Sequence, residues 1–194
     1  MVIKMHTLEE LEVFALENHI PIARHQVVEY MVNLIQEKNY KSFFEIGTAI
    51  GYTSIIIYKS NPNIRLVTIE NDLERVVVAQ KNFLDFNIQD KIQFIIDDAT
   101  LYNTDELFDL IFIDAAKKKN KFFFDKFSKN LKEGGTIIVD NMNLQDLWLK
   151  INVKKRAKYN QINQDFKDYI CSLKDYNVEI FDNIGDGIAV ITKK

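Results

Sequence analysis

Short apolar runs alternate with helical stretches along the middle of the chain, and this alternation constrains the fold more than any other feature. Strands are predicted at residues 42–46, 65–69, 92–96, 110–113 and 136–139. Between them lie predicted helical stretches at 52–59, 72–86 and 121–131 and a short turn near 104–107. Strands that are apolar throughout and separated by helices form parallel sheets covered on both faces. Gly134 and Gly135 are predicted to stop a helix before the fifth strand.

The beginning of the chain has a different pattern. Thr7 and Glu10 form a capping box at the start of an amphipathic helix predicted over residues 7–19. Pro21 ends it, and a second helix is predicted over residues 24–37. We expect these first 40 residues to form a helical cap on the core.

The end of the chain differs again. A helix is predicted at 161–173, followed by strands at 177–181 and 188–192. The glycine-containing connection between the two strands is short, which indicates an antiparallel pair. We therefore expect one α/β domain over residues 1–194, with a cap (1–40) and a core (41–194). Its sheet should have seven strands, mostly parallel, ending in a C-terminal antiparallel hairpin, with helices on both faces.

A turn of small residues links the first core strand to the next helix. Residues 43–54 read Phe-Phe-Glu-Ile-Gly-Thr-Ala-Ile-Gly-Tyr-Thr-Ser. Gly47, Ala49 and Gly51 let a ligand approach the backbone beneath a helix N-terminus. A dinucleotide fingerprint would need Gly-x-Gly-x-x-Gly, but Ala49 and Tyr52 stand at its second and third glycine positions. The turn instead resembles the one that holds the amino-acid end of the cofactor in S-adenosylmethionine-dependent methyltransferases.

Acidic residues at later strand ends extend this predicted cofactor site. Glu70 follows the second strand, 23 residues after Gly47, close to the offset of carboxylates that accept hydrogen bonds from ribose hydroxyls. Asp98 and Ala99 follow the third strand, where methyltransferases contact the adenine ring. Each signal has a structural alternative: Glu70 can cap the next helix, and Asp98 can belong to an ordinary polar loop.

Polar side chains also follow the fourth and fifth strands. Asp114 ends the fourth strand, and Asp140 and Asn141 end the fifth. Because neighbouring parallel strands bring their carboxyl ends to one crevice, these three oxygen-bearing side chains can converge. Two carboxylates and an amide suit Mg²⁺ or another hard divalent cation. A turn at 140–141 and a helix cap at Asp114 are the structural alternative.

Together the motifs resemble the metal-dependent O-methyltransferase family of catechol and caffeoyl-CoA O-methyltransferases, which has the Rossmann-like class I methyltransferase fold. The matching segments are Glu-Ile-Gly-Thr-Ala-x-Gly-Tyr, Phe-Ile-Asp-Ala, Val-Asp-Asn and the late Ile-Gly-Asp-Gly-Ile-Ala-Val. The resemblance implies metal binding by Asp114, Asp140 and Asn141, and it implies that Lys117 is the general base. It implies S-adenosyl-L-methionine binding by Glu45, Gly47, Thr48, Gly51, Thr53, Glu70, Asp98, Ala99 and Asp114.

Within that family, Asp-Ala-Ala-Lys at 114–117 and Glu-Asn-His-Ile-Pro-Ile at 17–22 resemble bacterial tRNA 5-hydroxyuridine methyltransferases. These enzymes convert wobble 5-hydroxyuridine to 5-methoxyuridine. The chain departs from the family at Asn120, where a tyrosine is usual, and over residues 142–146. These departures concern local substrate contacts.

The charge distribution bears on that substrate. The chain has a formal net charge of −3, yet residues 115–160 contain 12 Lys and Arg against 4 Asp and Glu. A basic stretch in an acidic protein indicates a polyanion-binding face or simply solvated helix faces, and both interpretations stay open. On the first interpretation the tRNA anticodon loop is bound by Arg24, His25, Lys118, Lys119, Lys121, Lys150, Lys154, Lys155 and Arg156. A small catechol-like phenol is the alternative substrate, and a non-catalytic RNA- or nucleotide-binding module is a third hypothesis.

Bulk features set the expected location and assembly. No apolar run approaches the roughly 20 residues of a membrane span, and the N-terminus is too polar for a signal peptide. The single cysteine, Cys171, is typical of a reducing, cytoplasmic setting. The family is often dimeric, so a homodimer is expected, although the apolar face with Val13, Phe14 and Leu16 could equally cover the sheet.

Overall fold

The computed structural model describes residues 7–143 and 153–194, without the side chains of Lys117 and Lys155. The helices are α1 (Leu8–Glu17), α2 (His25–Lys38), α3 (Tyr52–Ser60), α4 (Leu73–Asp85), α5 (Asn120–Phe127) and α6 (Val153–Cys171). The strands are β1 (Ser42–Ile46), β2 (Arg65–Glu70), β3 (Ile92–Ile96), β4 (Phe108–Ile113), β5 (Leu131–Asp140), β6 (Tyr176–Phe181) and β7 (Ile188–Lys193). Short 3-10 turns precede and follow α5, at Lys117–Lys119 and Ser128–Asn130.

The strands form one seven-stranded sheet in the order β3-β2-β1-β4-β5-β7-β6. The first five strands in this order are parallel, and β7 pairs antiparallel with both β5 and β6. The predicted Rossmann-like methyltransferase sheet with its C-terminal antiparallel hairpin is confirmed. In this topology β7 inserts between β5 and β6, so the hairpin completes the sheet beside β5.

Two hydrophobic clusters cover the two faces of the sheet, because successive residues of a buried strand point to opposite sides. Phe43 packs in the cluster that includes residues from α1 to α4, and the adjacent Phe44 packs in the cluster that includes residues from α5 and α6. The helices therefore lie on both faces, as predicted. Leu11 and Ala15 bury one side of α1, while Val13 and Leu16 stay exposed.

Some predicted boundaries were wrong. α1 ends at Glu17, since the chain turns at His19, whose φ is +54°. The short turn predicted near 104–107 is absent from the described structure there, and α6 begins well before residue 161. Gly134 and Gly135 do not stop a helix; they lie inside β5, where the pairing with β4 shifts register between Phe108 and Leu110.

This shift in register explains why two glycines can lie inside β5. Residues 132–135 have no partner in the β4 register, so this part of β5 bulges out, and Gly134 adopts a φ of +71°. The carbonyl of Gly134 accepts a 2.9 Å hydrogen bond from Tyr40 Oη, which anchors the bulge. Within the described residues, no helix combines the length and apolarity that crossing a membrane requires.

Candidate functional site

The candidate site is built from the carboxyl ends of four neighbouring strands. Near these ends, four residues form a continuous row in register, namely Ile69, Ile46, Ile113 and Val139. The residue after each member of this row is, in the same order, Glu70, Gly47, Asp114 and Asp140. Sheet register therefore aligns the predicted cofactor and metal residues along one edge, where ligands of parallel sheets bind.

A cleft of about 940 Å³ opens along this edge. Its other wall comes from α1 and from residues 19–25. The predicted site residues that line it are Arg24, His25, Gly47, Glu70, Asp98, Ala99, Asp114, Lys119, Asp140 and Asn141. Its size suits a nucleoside-sized ligand together with a small acceptor group. Thr48 and Thr53 line a small adjoining hollow with Ile22 and Ala23.

The glycine turn brings backbone, rather than side chains, to the cleft. The N–H groups of Gly47 and Thr48 donate to the Ile69 carbonyl at 3.0 and 3.2 Å, which ties the turn to β2. Gly47 has a φ of +104°, and a Cβ built there would lie 2.2 Å from the Asp114 carbonyl oxygen. Only glycine fits this position. The bare turn that results is the geometry predicted for the amino-acid end of the cofactor.

Glu70 is held in place by backbone donors. Its Oε2 accepts from the N–H of Ala49 at 2.9 Å, and its Oε1 accepts from the N–H groups of Asn71 and Asp72 at 3.0 Å each. The carboxylate also lines the cleft, so it keeps oxygen lone pairs for a ribose hydroxyl. It ties the glycine turn to the start of α4, while the side chain of Asp72 is the actual cap of α4.

Asp98 and Ala99 lie side by side on the cleft wall. The N–H of Thr100 donates to Asp98 Oδ1 at 2.8 Å, and this hydrogen bond holds the pKa of the Asp98 carboxyl below its ordinary value. Asp98 is therefore ionised at neutral pH. An ionised acceptor beside Ala99 on the cleft wall suits the predicted contact with an adenine ring.

Glu45 and Gly51 lie outside the described cleft and hollow. Glu45 is fully buried beneath the glycine turn, where it accepts hydrogen bonds from Ser54 Oγ at 2.5 Å and Thr68 Oγ1 at 2.8 Å. Gly51 precedes α3 and faces the ring of Phe83. Both residues support the glycine turn on the side away from the cleft. Their predicted direct contact with a cofactor has no support in this geometry.

Burial has a second effect on Glu45. Loss of hydration raises the pKa of its carboxyl from 4.5 to about 8, against the lowering effect of the hydrogen bonds from Ser54 and Thr68. Because the folded chain holds this proton more tightly than the unfolded chain, the free energy of unfolding falls as pH rises from about 5 to about 8.

Glu45→Gln is expected to remove that dependence, because a glutamine resembles the protonated acid. The melting temperature of the variant relative to the wild type should increase between pH 5 and pH 8, by a margin that corresponds to roughly 3 kcal/mol. Thermal unfolding monitored by circular dichroism at several pH values measures this. A constant difference across the range would show that Glu45 does not carry the proton.

The predicted metal ligands meet where β4 and β5 end in the cleft. Asn141 Nδ2 donates to Asp114 Oδ1 at 3.1 Å, and the Asn141 N–H donates to Asp140 Oδ1 at 2.7 Å. The described residues contain no group of three His, Cys, Asp or Glu side chains arranged for a metal. A cation here would therefore need the amide oxygen of Asn141 as its third protein ligand. The all-oxygen set fits Mg²⁺ by its chemistry.

The basic residues predicted to contact RNA separate into distinct groups. Lys118 and Lys119 are exposed, and Lys118 Nζ lies 5.3 Å from the ring centroid of Tyr159 on α6. Lys121 is directed elsewhere: it pairs with Asp125 at 2.6 Å and lies 3.8 Å from the ring centroid of Tyr169.

The remaining members of the predicted RNA-binding set are as follows. Lys154 is exposed and Arg156 half-buried, both on α6. Lys150 and the side chain of Lys155 lie outside the described residues, as does the side chain of the predicted base Lys117. Arg24 is paired with Asp186 at 3.1 Å, so its guanidinium has an intramolecular partner.

Several contacts that build the site could not be predicted from the sequence. Tyr52 donates its hydroxyl to Glu12 of α1, which lines the cleft, and this contact joins α1 to the start of α3. Burial and the hydrogen bond to Glu12 raise the pKa of the Tyr52 hydroxyl. Asn163 and Asp186 contact the β5 end from distant parts of the chain. Only the late Gly-Asp-Gly turn pointed to Asp186 as part of a motif.

Comparison with known proteins agrees with this geometry. The model of the O-methyltransferase family matches residues 3–194. O-methyltransferase imqG of Aspergillus flavus is 30% identical over 155 residues, which are 72% of this chain and 63% of that protein. A catechol O-methyltransferase of Niastella koreensis is 31% identical over 59% of this chain and 54% of its own length. The chain thus spans less than two thirds of both relatives.

Solved structures extend the likeness to nearly the whole chain. A Staphylococcus aureus protein assigned provisionally to the caffeoyl-CoA O-methyltransferases superposes with a TM-score of 0.88 at 28% identity, covering 97% of this chain and 92% of that one. An O-methyltransferase of Bacillus cereus, solved in complex with SAH, has a TM-score of 0.80 at 23% identity, covering 100% and 93%. The latter likeness concerns the fold.

Proposed function

The chain belongs to the O-methyltransferase family, and we propose that it transfers the methyl group of S-adenosylmethionine to the hydroxyl of 5-hydroxyuridine at the wobble position of a tRNA anticodon. The observation that carries the choice of acceptor is the contact between Lys118 and Tyr159. It brings the two basic stretches of the sequence together next to the edge with Asp140 and Asn141.

The donor side of the cleft is supported by three features. The bare turn at Gly47 leaves room for the amino-acid end of the cofactor. Glu70, fixed by three backbone N–H groups, offers carboxylate oxygens to a ribose. Asp98, kept ionised by its hydrogen bond from Thr100, offers an acceptor for an adenine amino group. These three groups are spaced along one wall of the cleft, in the order in which the cofactor's parts are joined.

The acceptor side is supported by the oxygen ligands. Asp114, Asp140 and Asn141 would hold a Mg²⁺ ion, and a bound Mg²⁺ supplies a Lewis acid that lowers the pKa of an acceptor hydroxyl. Asp114 lines the cleft beside Gly47. The strand ends that would hold the metal and the acceptor therefore lie next to the glycine turn that would hold the methyl donor. This adjacency would place the acceptor oxygen in line with the methyl group, and such positioning supplies much of the rate. Lys117, three residues after Asp114, is the residue proposed to take the proton.

The RNA side is supported by the position of α6. Asn163 Nδ2 donates to the carbonyl oxygens of Asn141 and Met142 at 3.3 and 3.4 Å, which packs α6 directly against the acceptor edge. The first turns of the same helix carry the exposed Lys154 and Lys158. With Lys118 and Lys119 they form a basic surface beside the cleft, suited to the phosphates of a single-stranded loop. A splayed loop base could then enter the cleft.

A small catechol-like phenol is the second candidate, and one observation favours it. The cleft is lined by eight acidic residues, namely Glu12, Glu70, Asp72, Asp97, Asp98, Asp114, Asp140 and Asp186, and by only three Lys or Arg residues among those described, Arg24, Arg75 and Lys119. Acidic walls disfavour phosphates inside the cleft. Relatives named catechol O-methyltransferases in Niastella koreensis and Mycobacterium tuberculosis point the same way. An anticodon loop avoids the conflict because only its base enters, while its phosphates stay on the basic surface.

The test of this proposal is methyl transfer from labelled S-adenosylmethionine with Mg²⁺, using hydroxyuridine-containing tRNA or catechol as acceptor. We expect rapid labelling of the tRNA and slow labelling of catechol. Mass spectrometry of nuclease digests should then locate the label in 5-methoxyuridine. Brisk transfer to catechol with none to tRNA would establish the second candidate instead.

A charge-reversal pair separates RNA binding from chemistry. Lys118→Glu combined with Lys154→Glu is expected to raise the KM for tRNA by about tenfold or more, because each lost phosphate contact weakens a salt-dependent interaction. The matched control is Lys38→Glu combined with Lys91→Glu, two exposed lysines that precede β1 and β3 at the opposite ends of the strands, so that both double variants change the net charge equally. Equal effects of both changes would mean that only net charge matters and not the proposed surface.

A further inference from the structure

We propose that Asp186, through its ion pair with Arg24, is a positioning residue that holds the metal-binding end of β5 in place. This inference rests on the proposed function for the metal and deepens it by assigning the support behind Asn141. The relevant turn, residues 184–187, connects β6 to β7. None of its residues is among those proposed to bind the cofactor or the metal.

Backbone hydrogen bonds join this turn to the segment that follows β5. The N–H of Met142 donates to the Gly187 carbonyl at 2.9 Å, and the N–H of Asn143 donates to the Asp186 carbonyl at 2.7 Å. Gly187 has a φ of +81°, and a Cβ there would lie 2.7 Å from the Cβ of Asn143. The two segments are therefore in such close contact that a shift of the turn must move residues 142 and 143.

Asn141 needs this support because its backbone is strained. Its φ is +65°, a conformation that residues other than glycine adopt at a cost. The side-chain amide is nevertheless within 3.1 Å of Asp114. The carbonyl of Asn141 is held from the other side by Asn163. Neighbours of this kind determine how precisely a metal ligand is oriented.

Arg24 fixes the turn to the opposite wall of the cleft. Its Nε lies 3.1 Å from Asp186 Oδ2 and its Nη2 lies 3.4 Å from Asp186 Oδ1, a two-point contact that sets orientation as well as distance. Arg24 immediately precedes α2 and lies in the wall segment 19–25. Both members of the pair line the cleft. The pair thus links the wall over the cofactor turn to the acceptor edge.

The position of Gly185 supports the same link. A Cβ there would lie 2.6 Å from Val27 and 3.1 Å from the Cβ of Arg24, so the turn lies flat against the start of α2. An ion pair whose side chains are 52% and 27% exposed contributes little to global stability. Its effect is therefore expected in metal binding and turnover, with little change in the melting temperature.

The experiment compares Asp186→Asn, Asp186→Glu and the wild type in Mn²⁺ binding followed by electron paramagnetic resonance, in cofactor affinity by calorimetry, and in turnover. Asp186→Asn is expected to weaken Mn²⁺ binding and lower kcat by about tenfold each, as loss of support behind metal ligands typically does. Cofactor affinity should change less than threefold. Asp186→Glu should restore most of both losses, because it restores the charge that pairs with Arg24.

A matched control is available in the same connection. Lys167 pairs with Asp182 at 3.2 Å, and neither residue lines the cleft. Lys167→Ala should leave Mn²⁺ binding and kcat unchanged. The inference fails if Asp186→Asn behaves like Lys167→Ala, or if Asp186→Glu is as impaired as Asp186→Asn.

The outcomes also distinguish this inference from the proposed substrate. If the wild type binds Mn²⁺ but does not methylate tRNA, the substrate is wrong, and the Mn²⁺ titrations of the variants still decide the role of Asp186. If the wild type binds no Mn²⁺, the metal assignment and this inference both fall.

Discussion

Asp140→Ala is expected to lower Mg²⁺-dependent methyl transfer by about three orders of magnitude. Asp140 is buried, with 4% of its surface exposed, and its Oδ1 accepts the N–H of Asn141. Its removal would take away one of the two carboxylates proposed to hold the cation, together with a hydrogen bond that fixes Asn141, the next proposed ligand. Loss of about 4 kcal/mol of stabilisation of the transition state corresponds to this drop in kcat.

The measurement is single-turnover transfer with titrated Mg²⁺, accompanied by cofactor affinity and the melting temperature. Asp140→Asn is the matched variant, because an asparagine can still accept the N–H of Asn141 but carries no charge. We expect it to fold normally, to bind the cofactor and to lose most activity. Activity that persists in Asp140→Ala with a chelator present would contradict the metal site.

Gly47→Ala is expected to destabilise the protein by about 3 kcal/mol or more and to abolish cofactor binding. The added Cβ would lie 2.2 Å from the Asp114 carbonyl oxygen and 2.9 Å from its carbon. Relief would require separation of the ends of β1 and β4, where the Asp114 N–H donates to the Ile46 carbonyl at 3.0 Å. Overpacking of this kind costs about 1–3 kcal/mol, and an alanine at positive φ adds about 1–2 kcal/mol.

For a chain of 194 residues, this loss should lower the melting temperature by roughly 6–12 °C. Gly134→Ala is the control, because Gly134 also has a positive φ of +71° but has no atom within 4 Å of an added Cβ. The Gly134→Ala variant measures the cost of backbone strain alone, without a clash between the added Cβ and neighbouring atoms. Equal melting temperatures for the two variants would show that β1 and β4 can separate freely at this point.

Local patterns sufficed to predict the strand ends and the turn between β1 and α3. Gly47, Glu70, Asp114 and Asp140 could be brought together from sequence because parallel strands in register place their carboxyl ends side by side. The order of the sheet adds the reason that the arrangement works. β1 lies between β2 and β4, so the glycine turn is flanked by the carboxylate of Glu70 on one side and that of Asp114 on the other.

Long-range contacts could not be predicted in this way. Arg24 and Asp186 are 162 residues apart, and nothing near either residue indicates its partner. Glu45 shows the same limit in another form. An acidic residue near a strand end indicates a ligand contact, but its side chain is buried between the sheet and α3, where Ser54 and Thr68 donate to it. The direction of a side chain at a strand end depends on the pleat, and a shift of one residue reverses it.

The position of β7 between β5 and β6 has a consequence for how the molecule is made. β7 is synthesised after β6, yet it supplies the neighbour of β5, from Thr136 opposite Thr192 to Asp140 opposite Ile188. Until it emerges, the strand that ends in Asp140 has an unpaired edge, and such edges invite association with other chains. The part of the cleft at the end of β5 is therefore assembled late, whereas the glycine turn between β1 and α3 can form as soon as β1 and β2 have paired.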